Sequence, residues 1–340
     1  MLVTLNDIAL KSGVSITTVS RVLNNKHEKY RISTETKKNV LKAAKDLRYR
    51  PNELARGLRL KKTHTVGLVV PDISNPFFAY ITHTIQSYMY QSGYSLIICV
   101  TNENIETEIR QIDLLRSKGV DGYIIMPVGQ KADHLQELLS YNKPLVLLDR
   151  CLEDMNANAV VVDNYAGAYK ATEHLIENGH RRIAIVQGLL NTYTNNARLN
   201  GYKDALKDHN IPIQERYIVG NDFRKENGYI ETKLLLSLTD PPSAIFTTSD
   251  LITLGAMQAI FEEKCTIPDD ISIVAFDDID FAPYLVSPLT VIRQPKELMG
   301  EVAVKLLTEE MKAKGKKDKK RIVLMPELVV RKSVRNILSN

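Results

Sequence analysis

The sequence predicts an all-α helix-turn-helix headpiece, a short hinge and a larger α/β core of two lobes. Three observations carry that expectation. First, 340 residues, 44% hydrophobic and 25% charged, exceed what one ordinary core organises, so a small module joined to a larger one is expected. Second, the net charge of +5 is unevenly placed: residues 1–62 hold 15 Lys and Arg against 5 Asp and Glu, whereas the remainder holds 30 against 35. A basic module is therefore attached to an acidic one, and the positive field belongs to the small part. Third, the texture changes near residue 64 from short amphipathic helices to a regular alternation of apolar runs and helical stretches.

Residues 4 to 48 read as three short helices. Thr4 is placed to cap the first, which carries Leu5, Ile8 and Ala9 on one face, and Gly13 supplies the following turn. Ser15 caps the second, which turns Val19, Val22 and Leu23 inward and leaves Thr17, Thr18 and Arg21 outward until Asn24 and Asn25 end it. The third begins after Ser33 and brings Val40, Ala44 and Leu47 to the same core. This is a helix-turn-helix pattern, whose second helix enters the major groove of DNA. Arg21 is the sharpest candidate there for a bidentate base contact, and Asn24, Lys37 and Tyr49 are candidates for phosphate. Tyr49 to Thr63 is a basic linker containing Pro51 and Gly57, and a helix that short forms only when something holds it.

From Thr65 onward, eight apolar runs are expected as strands: 66–70, 96–100, 123–126, 145–148, 159–162, 183–186, 244–246 and 271–276. Helices such as Tyr165 to Glu177 and Leu251 to Glu262 fall between them, which predicts parallel sheets covered on both faces. Two doubly wound lobes would hold a ligand at the carboxyl ends of their strands, in the cleft between them. The basic run Lys312 to Arg321 is expected as a solvated loop.

Enzyme signatures are missing. No glycine-rich phosphate cradle and no nucleophile elbow occurs. The seven histidines lack metal-ligand spacing, and His174 and His180 read as surface residues. Cys99, Cys151 and Cys265 lie far apart and are expected as reduced thiols. With neither a signal peptide nor an apolar run of membrane-spanning length, the expectation is a cytoplasmic protein with no catalytic activity, no cofactor, no metal and no membrane contact.

The chain resembles the lactose/galactose repressor family over nearly its whole length. The resemblance is carried by Leu5-Asn6-Asp7-Ile8-Ala9, Gly13-Val14-Ser15, Thr18-Val19-Ser20-Arg21-Val22-Leu23-Asn24, Tyr49-Arg50-Pro51-Asn52, Ala55-Arg56 and Leu58. In the core it continues through Asp72-Ile73-Ser74-Asn75-Pro76-Phe77-Phe78, Gly119-Val120-Asp121-Gly122, Leu148-Asp149-Arg150, Asn178-Gly179-His180, Arg198 with Gly201-Tyr202, and Phe276-Asp277-Asp278. It implies a homodimeric transcriptional regulator, a repressor by expectation, bound to a near-palindromic operator. Ile16, Thr17 and Arg21 would read bases, and Thr4, Ser15, Thr18, Ser20, Asn24, Tyr49, Asn52, Ala55 and Arg56 would complete the DNA-contacting set. Leu58 would wedge into the central base step from the minor groove.

The same resemblance implies a core like the type I periplasmic sugar-binding fold, with an effector, expected to be a sugar, between its lobes. The effector positions fall on Asp72, Asn75, Phe77, Phe78, Asp149, Arg150, Arg198, Phe223, Ser249, Asp277 and Gln294. The implied divisions are a headpiece at 1–49, a hinge at 50–63 and a core at 64–340, its lobes spanning 64–161 plus 292–320 and 162–291 plus 321–340. A purine corepressor, or dependence on a phosphorylated partner protein, is the competing expectation. Three departures from the family pattern stand out: the loop Lys26 to Arg31 is longer than usual, Ser249 stands where many relatives have Asn, and Ala275 replaces a common Gly. The loop Gln187 to Asn191 is also unlike the usual one.

Overall fold

The computed structural model describes residues 3–49, 62–128, 133–152, 155–313, 315 and 318–338. The chain forms two compact units, residues 1–63 and 64–340. The expected hinge helix, with Asn52, Ala55, Arg56 and Leu58, lies outside the described residues.

In the first unit α1 (Leu5–Ser12), α2 (Ile16–Leu23) and α3 (Thr34–Asp46) each begin where the sequence supplies a hydroxyl. Thr4 Oγ1 accepts from the Asp7 amide while the Asp7 carboxylate accepts from the Thr4 amide, a reciprocal capping box. Ser15 and Ser33 cap α2 and α3 through the amides of Thr18 and Thr36. Gly13 closes α1 at φ +68°, the left-handed conformation that a residue without Cβ adopts at least cost. The helices bury Ile8, Ala9, Val19, Val22, Val40, Ala43 and Ala44 in one core, with Leu23, Leu47 and Tyr49 packed against it.

The second unit contains two six-stranded sheets. The first lobe is built from β1 (Thr65–Val70), α4 (Pro76–Gln91), β2 (Ser95–Val100), α5 (Ile105–Ser117), β3 (Gly122–Ile125), α6 (Asp133–Ser140), β4 (Leu145–Leu148) and β5 (Asn158–Val162). The second contains α7 (Asn164–Glu177), β6 (Ile183–Val186), α8 (Tyr193–Asp208), β7 (Ile218–Val219), α9 (Lys225–Leu236), β8 (Ala244–Thr247), α10 (Asp250–Glu262), β9 (Ser272–Phe276) and β10 (Thr290–Arg293). The chain then returns through α11 (Lys296–Lys312) and β11 (Arg321–Leu324) to the first lobe and finishes with β12 (Glu327–Val329) in the second. The strand orders are β11-β5-β4-β3-β1-β2 and β12-β10-β9-β8-β6-β7, all parallel except the β10–β12 pair. Each sheet is buried on both faces, with separate apolar clusters above and below it, which explains why its central strands are continuously apolar rather than alternating.

All eight expected strands are present, and β7, β10, β11 and β12 add to them. Strand β11 belongs to the first sheet, pairing Arg321 to Leu324 with Ala159 to Val162, so the last crossing falls after Leu324 and not at 320/321. Similarly, β10 extends to Arg293 within the second sheet, past the expected switch at 291/292. The basic run is only partly a loop. Lys312 ends α11, the Lys319 ammonium pairs with Glu310, and the Lys320 amide donates to Asn158 Oδ1 at 2.9 Å. His180 is no surface residue either: it is buried, with Nδ1 2.9 Å from Ser243 Oγ and Nε2 3.1 Å from the Arg335 carbonyl. Burial holds its pKa below the ordinary imidazole value.

Candidate functional site

Two surfaces collect the residues singled out from the sequence. On the headpiece, the N-terminal turn of α2 presents Ile16, 48% exposed, beside exposed Thr17, with Arg21 one and a half turns further on. An apolar Ile held in solvent at a helix start contributes nothing to the headpiece core. Other residues of the set already have structural duties. Thr4, Ser15 and Thr18 exchange bonds in the caps of α1 and α2, and the Asn24 amide donates to the Ser20 carbonyl at 2.6 Å, closing α2. Tyr49 is half-buried against the core, its amide bonded to the Ala44 carbonyl. The caps leave helix N-termini at the surface, where amide groups and a positive dipole end suit phosphate.

The core holds a cavity of about 350 Å³ between its lobes, at the low end of the roughly 300–1,000 Å³ usual for small-molecule sites. Asp72, Asn75, Phe77, Phe78, Asp149, Arg150, Arg198, Phe223, Ser249, Asp277 and Gln294 all line it. Strand ends and helix starts put them there. Asn75 caps α4 by accepting from the Phe77 amide at 2.8 Å, with Pro76 next, so the two phenylalanines are fixed in the first turn. Asp149 and Asp277 follow β4 and β9 with φ of +67° and +82°, conformations uncommon outside glycine that turn both side chains into the cleft. Ser249 caps α10 through the Ile252 amide. Gln294 follows β10 at the crossover and donates to Asp277 Oδ1 at 2.5 Å.

The cavity is a nest of buried charge. Arg150, 5% exposed, makes a bidentate pair with Glu103 at 2.7 and 2.8 Å, and its guanidinium lies 5.9 and 5.6 Å from the ring centres of Phe78 and Phe223. Arg198 stacks on Phe276 at 3.7 Å and donates to Asn164 Oδ1 and the Thr248 carbonyl. Burial lowers the Arg198 pKa and raises those of Asp149 and Asp277; Asp149 is pushed up to about 6, with Arg150 and Arg198 acting against the shift. Among the described residues, three buried polar atoms of this lining have no hydrogen-bond partner: Asp149 Oδ1, Arg150 Nε and Gln294 Oε1. Leaving such atoms unmet is expensive, and the carboxylate, amide and guanidinium groups that carry them suit a polar molecule in the cavity they line.

Sequence reading missed Ser74, Asn102, Glu103, Thr194, Asp222, Arg224 and Leu251 in the lining. Thr194 was within reach, since it precedes Arg198 by one helical turn. Glu103 was not, because nothing local ties the end of β2 to an arginine 47 positions away. Among the described residues no group of three or more His, Cys, Asp or Glu side chains could hold a metal ion, and no helix is long and apolar enough to cross a membrane.

Comparison with known proteins covers both units. Residues 4–52 match the family model described as bacterial regulatory proteins, lacI family, and residues 172–334 match that of a periplasmic binding protein-like domain. The HTH-type transcriptional repressor PurR of Haemophilus influenzae (strain PittEE) is 36% identical, over 98% of this chain and 99% of its own. PurR of Histophilus somni (strain 2336) is likewise 36% identical over the same shares. Among solved structures, the lac repressor dimer bound to operator and the anti-inducer ONPF superimposes with a TM-score of 0.88 at 28% identity, covering 98% of this chain and all of that one. The transcriptional regulator CelR–cellobiose complex gives 0.74 at 30% identity, with 97% and 99% covered.

Proposed function

The chain belongs to the LacI family of DNA-binding transcriptional regulators, and from that premise we propose that it is a homodimeric repressor released from its operator by a neutral carbohydrate bound between the core lobes. In this reading Ile16, Thr17 and Arg21 address base edges, while Thr4, Ser15, Thr18, Ser20, Asn24 and Tyr49 set register on the backbone. Asn52, Ala55 and Arg56 extend the contact along the hinge, and Leu58 enters the minor groove at a central pyrimidine-purine step, which kinks at least cost.

The observation that carries the sugar assignment is the set of unmet polar atoms on residues that line the cavity, beside two aromatic rings. Vicinal hydroxyls bond to the Asp149 carboxylate, the Gln294 amide and the Arg150 guanidinium, while Phe78 and Phe223 offer apolar faces to the C–H surface of the ring. Charge supports a neutral ligand over a phosphorylated one. Five carboxylates, of Asp72, Glu103, Asp149, Asp222 and Asp277, line the cavity against three guanidiniums, of Arg150, Arg198 and Arg224, and Glu103 already occupies Arg150.

A second reading rests on the 36% identity with repressors named PurR: a purine that tightens operator binding. Thermal-shift and calorimetric titration of the full chain with neutral mono- and disaccharides, sugar phosphates, hypoxanthine and guanine separates the two. Stabilisation by a neutral sugar alone supports the proposal. Stabilisation by a purine alone transfers the cavity to the second reading.

A further inference from the structure

The loop between α2 and α3 carries Tyr30, and the Arg21 guanidinium lies 3.9 Å from the centre of its ring. We propose that Tyr30 is a positioning residue for sequence readout, a platform that holds Arg21 in the geometry in which it addresses a base pair. The proposal rests on the reading of Arg21 as a base-contacting residue.

Three features support it. The contact is at close range for a cation over an aromatic face, and such a contact does not consume the guanidinium's N–H donors. Among the described residues, no hydrogen bond or carboxylate pairing competes for Arg21. The loop is itself ordered by backbone bonds: Lys26 N–H to Arg21 O, Tyr30 N–H to Lys26 O, Arg31 N–H to Glu28 O and Ile32 N–H to His27 O, at 2.9 to 3.2 Å. Ile32 packs on the headpiece core and His27 Nε2 lies 2.8 Å from Lys37 Nζ of α3, so both ends of the loop are tied down. Tyr30 is nevertheless 43% exposed and outside the buried core, so its ring serves packing little. A long, flexible arginine loses rotamer freedom on binding a base; a ring that orders it beforehand reduces that loss and narrows the angles from which it donates.

The test selects binding sites for the full chain from a duplex pool with 20 randomised base pairs, an order-of-magnitude operator length for paired headpieces. Wild type, Arg21→Ala, Tyr30→Phe, Tyr30→Leu, Tyr30→Ala and the double variants joining Arg21→Ala to Tyr30→Leu or Tyr30→Ala are compared, with melting of the full chain checked in parallel. Tyr30→Phe keeps the ring and is expected to select the wild-type half-site. Tyr30→Leu and Tyr30→Ala are expected to lose preference at the same base pairs as Arg21→Ala, with discrimination there falling about tenfold, and to add nothing in the Arg21→Ala background. If Arg21→Ala shifts the preference and the leucine variant, melting as wild type does, retains it, Tyr30 has no positioning role. If Arg21→Ala itself leaves the preference intact, the base-reading assignment falls, and the platform with it.

Discussion

Gly188 and Phe223 show how much of the cavity depends on single atoms. A Cβ at Gly188 would stand 2.0 Å from the Phe223 ring, so the ring reaches the cavity only because position 188 has no side chain. Gly188→Ala is expected to displace Phe223 and weaken effector binding about tenfold by calorimetry, with the core still folded, because Phe223 ends in a half-exposed loop. Asp149 makes a second prediction. With its carboxyl pushed up to about 6 by burial, the folded chain takes up a proton there that the unfolded chain has already lost, so this group's contribution to stability is present at low pH and lost as pH rises through about 6. Hydroxyls donating to the ionised carboxylate lower that pKa, so effector binding releases a proton near pH 6 and affinity falls as pH drops from 7 to 5. Titration in buffers of different ionisation enthalpy measures the release; proton uptake would show that the effector meets the neutral acid. Local signals made the site legible. An Asn-Pro-Phe-Phe run after a strand and an Asp-Arg pair after another each define their own turn, whereas Glu103 meets Arg150 only through the parallel order of β2, β1, β3 and β4.

At the level of elements, the continuously apolar strands were readable because burial on both faces leaves no exposed positions in them. The missed strands are short or border polar sequence. β7 has two residues, β11 alternates exposed and half-buried positions straight after a lysine-rich run, and β12 has three residues and pairs antiparallel at an edge. Strands β10, β11 and β12 flank the returns between lobes, so missing them also misplaced the crossings. Asp278 clamps one of those returns. Arg331 binds it with both Nη atoms at 2.9 and 3.0 Å and Arg293 at 2.8 and 2.9 Å, while the Lys296 ammonium donates to its carbonyl. Burial alone would raise its pKa, but bonds from Arg331 and Arg293 outweigh it and hold the carboxyl below the ordinary range. The clamp therefore acts above the unfolded carboxylate pKa and is lost as pH falls through the lower folded value. Asp278→Ala, which leaves half-buried Arg331 without its carboxylate, is expected to cost about 2 kcal/mol of core stability in denaturant titration at pH 7. A cost that persists undiminished at pH 3 would contradict the ion-pair account.

Taken whole, the molecule divides electrostatic from chemical work. The basic headpiece supplies counterion-dependent attraction to DNA, and the acidic core supplies a small buried cavity lined by carboxylate, guanidinium, amide and aromatic groups. An effector controls DNA affinity only through a difference in its affinity for the two arrangements of the chain, and DNA then opposes the effector by the same factor. The most direct measurement is operator affinity of the full chain at fixed salt, titrated with the neutral sugar that stabilises the core. The account predicts operator affinity reduced at least tenfold at saturating sugar and sugar affinity reduced equally by operator. Operator affinity that is unchanged, or tightened, at saturating sugar would contradict it.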